Sequence, residues 1–184
     1  MYRYFLIVLF TFHISELLFI CIYCRQELSW SSTLCSLPYA SAMLFATMEY
    51  WLQVYYFGKR PEDWKYCRLV GMVFIVAGEC IRKLGMFTLG SKFSHRIRTR
   101  DHPGLVTRGI YGWIRHPAYC GWFLWCIGTQ LLLVNPISCI LFAVLSWKFF
   151  RDRIRWEEET LVGFYGVHFQ EKYRNKVWSG IPFI

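Results

Sequence analysis

The sequence has no glycine-rich fingerprint of the kind that binds a dinucleotide. Its 184 residues include 13 glycines, but none of them follow the spacing G-x-G-x-x-G. The chain also lacks the alternation of strands and helices that builds a parallel sheet. Since that fingerprint and that alternation together define a doubly wound nucleotide-binding fold, their absence excludes such a fold. No internal repeat or low-complexity segment is visible either.

The cysteines lack the neighbours that a metal site needs. Cys21 and Cys24 have C-x-x-C spacing, but no second pair or histidine cluster completes a zinc site. Most of the eight cysteines lie inside apolar runs, which is typical of small buried side chains. We therefore expect neither a bound metal nor disulfide bonds.

Long apolar runs, in contrast, are abundant. Hydrophobic residues make up 55% of the chain. They form five blocks: Tyr4 to Phe12, Leu37 to Phe57, Leu69 to Leu89, Tyr119 to Val134 and Ile137 to Phe150. Several blocks approach the roughly 20 residues that cross a bilayer, and the charges fall between them. This pattern predicts one all-α integral membrane domain over residues 1–184, with about five transmembrane helices.

The expected helices cover residues 2–23, 37–57, 69–89 and the last two blocks. Asn135-Pro136 separates those last two blocks, and proline disfavours helix in the residue before it. They should form a tight hairpin. The backbone break must be buried in protein or exposed to water, so that its polar groups have hydrogen-bond partners. His13 and Glu16 interrupt the first run, and no small-x-small cleavage site follows, so we expect a retained helix rather than a secretory signal.

The formal net charge is +9. Basic residues lie beside the apolar blocks, where they mark cytosolic faces and meet anionic lipid, so we expect contact with the bilayer and none with nucleic acid. Residues 90–115 and the tail after residue 150 should be cytosolic, which places the N-terminus in the lumen. Four basic residues of the second connector would then face the lumen, against the rule: Lys59, Arg60, Lys65 and Arg68.

The tail carries an apolar stripe. Leu161, Tyr165, Phe169 and Tyr173 recur at intervals of four, which predicts one face of a short cytosolic helix. This helix either lies on the membrane surface or packs on the polar segment before the hairpin.

Polar groups at both ends of the hairpin indicate a functional site. Arg115 to Gly121 precede it and Arg153 to Glu158 follow it. In the third helix, Arg82 lies deep enough that a cation without a task would be costly. Glu79 is on the same helical face, so a structural Glu79–Arg82 pair is the alternative to anion binding.

In this order, these segments resemble the isoprenylcysteine carboxyl methyltransferase family. The resemblance rests on residues 12–16, 78–83, 86–87, 93–95, 105–111, 115–122, 128–130, 135–136, 149–153, 157–158 and 180–184. It implies a multi-pass enzyme of the endoplasmic reticulum membrane whose active site faces the cytosol. Its substrate would be the C-terminal α-carboxylate of prenylated cysteine in CaaX-processed proteins, and its methyl donor S-adenosylmethionine.

The resemblance also implies residue roles. Arg82 and Arg153 are the expected catalytic and substrate-binding residues, although Arg153 could instead be a flanking cytosolic charge and His116 a structural histidine. The expected cofactor-binding residues, within about 90–184, are Pro103, Gly104, Leu105, Val106, Tyr111, His116, Pro117, Ala118, Tyr119 and Glu157. Two positions depart from the family. Members usually have histidine at the position of Pro103, whereas this chain has its histidine one residue earlier, at His102. Arg98 stands where a neutral polar residue is common.

Other classes stay open at the level of sequence. A phospholipid N-methyltransferase resembles the chain around Arg115 to Gly121 and Glu157-Glu158, but an amine acceptor gains nothing from a buried Arg82. Sterol reductases are much longer. A membrane scaffold or transporter would give no reason for Arg153 and Glu157 to lie one helical turn apart.

Overall fold

Five α-helices account for most of the protein. A computed structural model describes residues 1–25, 28, 34–58, 64–97 and 104–184. The helices are α1 (Tyr2–Tyr23), α2 (Leu37–Phe57), α3 (Lys65–Leu89), α4 (Pro117–Leu133) and α5 (Pro136–Phe169). Short 3₁₀ turns cover Gly90–Lys92 and Gly109–Gly112, and a π-helical turn covers Gln170–Arg174. The described ranges contain no β-strand, which confirms the all-α prediction.

The helix bounds follow the apolar blocks, with extensions where the chemistry allows them. Both α1 and α2 have the predicted limits, whereas α3 begins at Lys65, ahead of its apolar block at Leu69. Proline occupies the first turn of both α4 and α5. A proline there loses no helical hydrogen bond, because the first N–H groups of a helix have no partner within it.

Among the described helices, α1 alone is both long enough and apolar enough to cross a membrane by itself. One of its faces is buried at Phe5, Phe12, Glu16, Phe19 and Ile20. Its other face exposes large apolar side chains at helical spacing: Tyr4, Ile7, Phe10, Ile14 and Leu18. A helix that is apolar on its outer face as well is suited to lipid. The count of five spans stays a prediction.

Helices α3 and α4 pack backbone against backbone. Gly71, Gly78 and Gly85 recur every seven residues along α3, opposite Gly121 and Gly128 of α4. A Cβ placed on Gly78 would lie 2.5 Å from the carbonyl oxygen of Gly121. Small residues at such spacing let membrane helices approach closely. The contact brings the middle of α3 against the start of α4.

The break between α4 and α5 is buried, as the sequence predicts. Val134 adopts a left-handed conformation (φ 57°), and the Asn135 side chain donates to the carbonyl oxygen of Ala46 at 2.8 Å. The carboxylate of Glu49 accepts from the backbone N–H groups of Ile137 (3.0 Å) and Ser138 (2.7 Å). Glu49 therefore satisfies the first turn of α5, where a negative charge also suits the helix dipole.

The tail is helical but bent. The range of α5, Pro136 to Phe169, contains a kink at Gly166, whose backbone is non-helical (φ 55°), so two helical segments meet there and the apolar stripe lies on both of them. The apolar stripe faces the protein: Leu161, Phe169 and Tyr173 are buried together, and Leu105 packs against them. Of the two positions considered for the tail, packing on the polar segment before the hairpin is therefore the correct one.

The glycine contact yields a stability prediction. Gly78→Ala should lower the melting temperature of the detergent-solubilised protein, because the new methyl group meets the backbone at Gly121 and Trp125 rather than a movable side chain. Forcing a methyl group into such a contact costs about 1–3 kcal/mol. Gly163→Ala is the matched control, since a Cβ there has no neighbour within 4 Å; equal melting temperatures for the two variants would contradict the packing role.

Candidate active site

One cavity of about 420 Å³ gathers most of the residues that the sequence singled out. Ten of the twelve named site residues line it: Arg82, Gly104, Leu105, Val106, Tyr111, His116, Ala118, Tyr119, Arg153 and Glu157. Pro117 lies beside the cavity, where its ring packs against Gly85 of α3. Pro103, together with His102 and Arg98, lies outside the described residues. The volume suits a ligand of cofactor size.

Arg82 is paired with Glu16, not with Glu79. Its Nε donates to Glu16 Oε1 at 2.8 Å and its Nη2 to Glu16 Oε2 at 2.6 Å, while its Nη1 donates to the carbonyl oxygen of Ala118 at 2.8 Å. The two ionic side chains are 2% and 0% exposed. Glu79 instead accepts from Ser15 at 3.0 Å. The alternative of a structural Glu79–Arg82 pair is therefore wrong, because α1 supplies a carboxylate in a better position.

This pairing limits what Arg82 can offer a ligand. The bidentate edge of its guanidinium is occupied by Glu16, which also accepts from Lys83. A guanidinium has five N–H donors, and these contacts use three of them. Arg82 therefore lines the cavity as a cation in a fixed position, and only part of its hydrogen-bonding capacity is left for a ligand.

Arg153 is less fully engaged. Its Nε donates to the hydroxyl of Tyr119 at 2.9 Å, its Nη2 donates to the carbonyl oxygen of His95, and its guanidinium lies 5.4 Å from the centre of the Tyr119 ring. No described residue accepts from Nη1. In turn, the Tyr119 hydroxyl donates to Glu157 Oε2 at 2.7 Å. Arg153, Tyr119 and Glu157 therefore form a hydrogen-bonded chain along the cavity, with a cation at one end and an anion at the other.

His116 is held in place by a buried carboxylate, Glu158, for which the sequence alone predicted no separate role. Its Nε2 donates to Glu158 Oε1 at 3.1 Å, and its ring stacks on Tyr119 with centroids 5.6 Å apart. Glu158 also accepts from Arg115 at 2.8 Å and Arg174 at 2.7 Å. Burial raises the pKa of Glu158, but the hydrogen bond and charge of His116 and the Arg115 guanidinium outweigh it, so this pKa lies below its usual value.

The end of the chain completes this side of the site. The backbone N–H of Arg115 donates to the carbonyl oxygen of Trp178 at 2.8 Å, and that of His116 donates to Ser179 at 3.1 Å. The Tyr173 hydroxyl donates to the carbonyl oxygen of Tyr111 at 2.7 Å. The tail thus fixes both the His116 turn and the 3₁₀ turn that carries Tyr111.

The cavity has two chemically different ends. Trp122, Phe149 and Phe150 line one end beside Arg82, and Phe149 is half exposed at the outer surface. Gly104 to Val106, Tyr111, His116 and Glu157 line the other end. Tyr119 lies between the two ends, because its ring is 5.4 Å from that of Phe150 and 5.6 Å from that of His116. Such a cavity can place an apolar ligand that carries an anion beside a polar ligand that carries a cation.

Comparisons with known proteins point to one family. Residues 69–163 match the model of the isoprenylcysteine carboxyl methyltransferase family. Protein-S-isoprenylcysteine O-methyltransferase A of Arabidopsis thaliana is 42% identical over 97% of this chain and 91% of its own length. The Homo sapiens protein-S-isoprenylcysteine O-methyltransferase is 41% identical over 94% of this chain, which spans 62% of the human protein.

A solved structure is also similar. It is described as the eukaryotic intramembrane Ras methyltransferase ICMT, and it superposes with a TM-score of 0.89 at 35% identity. The match covers 98% of this chain and 65% of that one. The chain belongs to the isoprenylcysteine carboxyl methyltransferase family. The resemblance found in the sequence is thereby confirmed, and membership of an intramembrane enzyme family places the chain in a membrane.

The Glu16–Arg82 pair can be tested directly. Glu16→Gln should destabilise the protein, because it leaves the buried Arg82 and the partly buried Lys83 without a full countercharge. Breaking a buried ion pair from one side typically costs about 3–5 kcal/mol. Glu79→Gln is the matched control on the neighbouring acidic residue, which is 26% exposed and should cost much less. Thermal unfolding in detergent compares the two. A larger loss for Glu79→Gln would show that the wrong carboxylate has been assigned to Arg82.

Proposed function

We propose that this chain transfers the methyl group of S-adenosylmethionine to the α-carboxylate of a C-terminal prenylated cysteine, on the cytosolic face of the endoplasmic reticulum membrane. Family membership makes the chain a methyltransferase of prenylated cysteine. The donor and the residue roles are inferred from the site, and the endoplasmic reticulum from the family resemblance. The observation that carries the proposal is the Arg153–Tyr119–Glu157 chain, which holds an anion-binding and a cation-binding group in one cavity.

The residues present suit S-adenosylmethionine. Glu157 is 30% exposed, and its Oε1 has no hydrogen-bond partner among the described residues, so it can accept from an ammonium or ribose hydroxyl. The backbone of Gly104 to Val106 and the Tyr111 and His116 rings offer hydrogen bonds and flat faces to the rest of the molecule. When bound, this donor supplies an electrophilic methyl group on a sulfonium.

Arg153 is the proposed first contact of the substrate carboxylate, and Arg82 adds a fixed positive charge beside it. An α-carboxyl group has a pKa near 3.3–3.7, so it is already ionised and no base is required. The barrier lies in aligning a carboxylate oxygen with the methyl group, which well-positioned side chains can lower by several kcal/mol. Exclusion of water by the buried cavity walls removes solvent that would otherwise stabilise the separated charges.

The apolar end of the cavity suits a prenyl group, and we expect this group to make most of the contacts between substrate and protein. Trp122, Phe149 and Phe150 form an aromatic wall next to Arg82, and Phe149 is 52% exposed at the outer surface. A hydrocarbon chain can pass from the bilayer along this wall with its carboxylate towards Arg153. The polar end lies among basic residues that favour the cytosolic side: Lys92, Arg96, Arg115 and Arg153.

The activity has a direct assay. Membranes that contain this chain should transfer labelled methyl from S-adenosylmethionine to N-acetyl-farnesylcysteine, and the label should be released by mild base as expected of an ester. N-acetylcysteine should react poorly, because it lacks the apolar chain that places its carboxylate. Arg153→Gln should abolish most of the transfer. Methylation of phosphatidylethanolamine in place of the prenylcysteine would overturn the proposal.

Glu157 should act on the donor. Glu157→Ala is expected to weaken S-adenosylmethionine binding about 10- to 100-fold, as for a lost hydrogen bond to a charged group. Titration calorimetry on detergent-solubilised protein measures the affinity, and the melting temperature reports folding. Glu159→Ala is the matched control, because Glu159 is 65% exposed, pairs with Arg155 and does not line the cavity. Equal affinities of the two variants would remove Glu157 from the donor site.

A further inference from the structure

A second cavity, of about 460 Å³, lies beside α5. Its charged lining consists of four arginines and two carboxylates: Arg115, Arg151, Asp152, Arg155, Glu158 and Arg174. Of these six, Arg115 alone also lines the active-site cavity. A carboxylate on Ile184, which lies in the same wall, would still leave the cations in excess. The lining therefore favours an anion.

Helix α5 separates the two cavities. Arg153 and Glu157 are four residues apart, share one helical face and line the active-site cavity. Arg151 and Arg155 are also four residues apart, but they are offset from that pair by two positions, which is about 200° around a helix. They therefore lie on the opposite face of α5, away from the candidate active site.

The exposed arginines of this cavity keep N–H groups for a ligand. Within the described ranges, Arg155 finds an acceptor only for its Nε, on Glu159 at 3.3 Å, and its side chain is 80% exposed. Arg151 donates to Asp152 from Nε and Nη2, and no described residue accepts from its Nη1. Arg174 is 42% exposed and is paired through Nε. Guanidinium groups with such N–H donors suit phosphate oxygens, which they can bind two at a time.

The same face of α5 is apolar before it becomes cationic. Its large apolar side chains are 40–66% exposed and recur at helical spacing: Ile137, Ile140, Leu141, Val144 and Leu145. Lys148, Arg151 and Arg155 continue this row at intervals of three and four residues, and all three are exposed. An apolar stripe that ends in a group of cations matches the two parts of an anionic lipid, its acyl chains and its charged headgroup.

These cations lie at the depth of a lipid headgroup. From Leu145 to Arg151 the helix rises about 9 Å, at about 1.5 Å per residue. The headgroup region on each side of a bilayer is roughly 5–7 Å thick. The guanidinium of Arg151 also lies 5.2 Å from the centre of the Trp147 ring, and tryptophan is enriched where membrane meets water. Lys148 to Arg155 therefore cover the layer in which lipid phosphates lie.

We propose that the second cavity binds the phosphate of an anionic phospholipid, with Arg151 and Arg155 as its main contacts and the acyl chains along the apolar stripe of α5. A zwitterionic lipid brings a cation that the excess of arginines repels. A soluble acidic partner would leave the apolar stripe without a role. The inference uses the cytosolic orientation proposed above, because that leaflet carries the anionic lipids, but it does not depend on the methyl transfer reaction.

Lipid binding to the full chain tests this site. Detergent-solubilised protein is titrated with phosphatidylserine or with phosphatidylcholine of the same acyl chains, and native mass spectrometry counts the bound lipid. The test variant is Arg151→Gln with Arg155→Gln, and Arg155→Gln alone replaces it if the double variant does not fold. Lys172→Gln with Lys176→Gln is the matched control, because it removes the same charge from exposed tail positions that do not line the cavity. Arg115 is left unchanged, since it also lines the active-site cavity.

We expect the wild-type protein to bind phosphatidylserine about tenfold more tightly than phosphatidylcholine, as for a site with an excess of cations. The arginine variant should lose about 10- to 100-fold in affinity for phosphatidylserine, as for lost hydrogen bonds to a charged group. Its melting temperature without added lipid should be unchanged. The lysine control should bind both lipids as the wild type does.

Three results would overturn the inference. Equal affinities of the wild-type protein for the two lipids would remove the anionic headgroup from the cavity. Equal losses in the arginine and lysine variants would show diffuse attraction by the tail rather than a site. Inorganic phosphate or a soluble acidic peptide that displaces phosphatidylserine as well as the lipid itself does would assign the arginines to a ligand without acyl chains. Binding is measured without S-adenosylmethionine or prenylcysteine, so a failure of the proposed methyl transfer would produce none of these results.

Discussion

The buried contact of Glu16 with Arg82 is the constraint on which the site depends. It joins α1 to α3, and the third donor of Arg82 reaches Ala118 at the start of α4. A cation at this depth must be paired, because an unpaired charge in an apolar interior is strongly destabilising. Gly121 belongs to the same arrangement: a Cβ there would lie 2.6 Å from the Cβ of Arg82. The glycine that ends the segment Arg115 to Gly121 thus makes room for the arginine of the facing helix.

Local features of the structure could be predicted from the sequence because they depend on short-range rules. The lengths of the apolar runs predict α1 and α2, and the proline that follows Asn135 predicts the break in the hairpin. The partner of Arg82 could not be found this way: Glu79 is near in sequence, whereas Glu16 is 66 residues away and its position depends on how α1 is rotated. The close contact of α3 and α4 did have a sequence signal, the seven-residue spacing of Gly71, Gly78 and Gly85.

The membrane helices and the tail cooperate at the polar end of the cavity. Arg115 donates to the carbonyl oxygens of Arg174 and Val177 and to Glu158. One arginine therefore satisfies the end of the π-helical turn and the carboxylate that orients His116. His116 and Tyr119 could be assigned to the site from the sequence, but the role of Glu158 and the backbone pairing with Trp178 and Ser179 could not. Those contacts form only when segments about 40 to 60 residues apart meet, and no periodicity marks them.

Charge balance connects this architecture to the chemistry. Arg82 lies against Glu16, and Arg153 is linked to Glu157 through Tyr119, so each of the two arginines proposed to bind the substrate is linked to a carboxylate. These two linked pairs carry no net charge, so they do not hold either reactant by net charge alone. A carboxylate and a sulfonium bring opposite charges that cancel when the methyl group moves, and the walls need not reorganise as this happens. The fixed dipoles and ion pairs then favour alignment of the reactants. After transfer the reacting centre is uncharged, because the sulfonium has become a thioether and the carboxylate an ester.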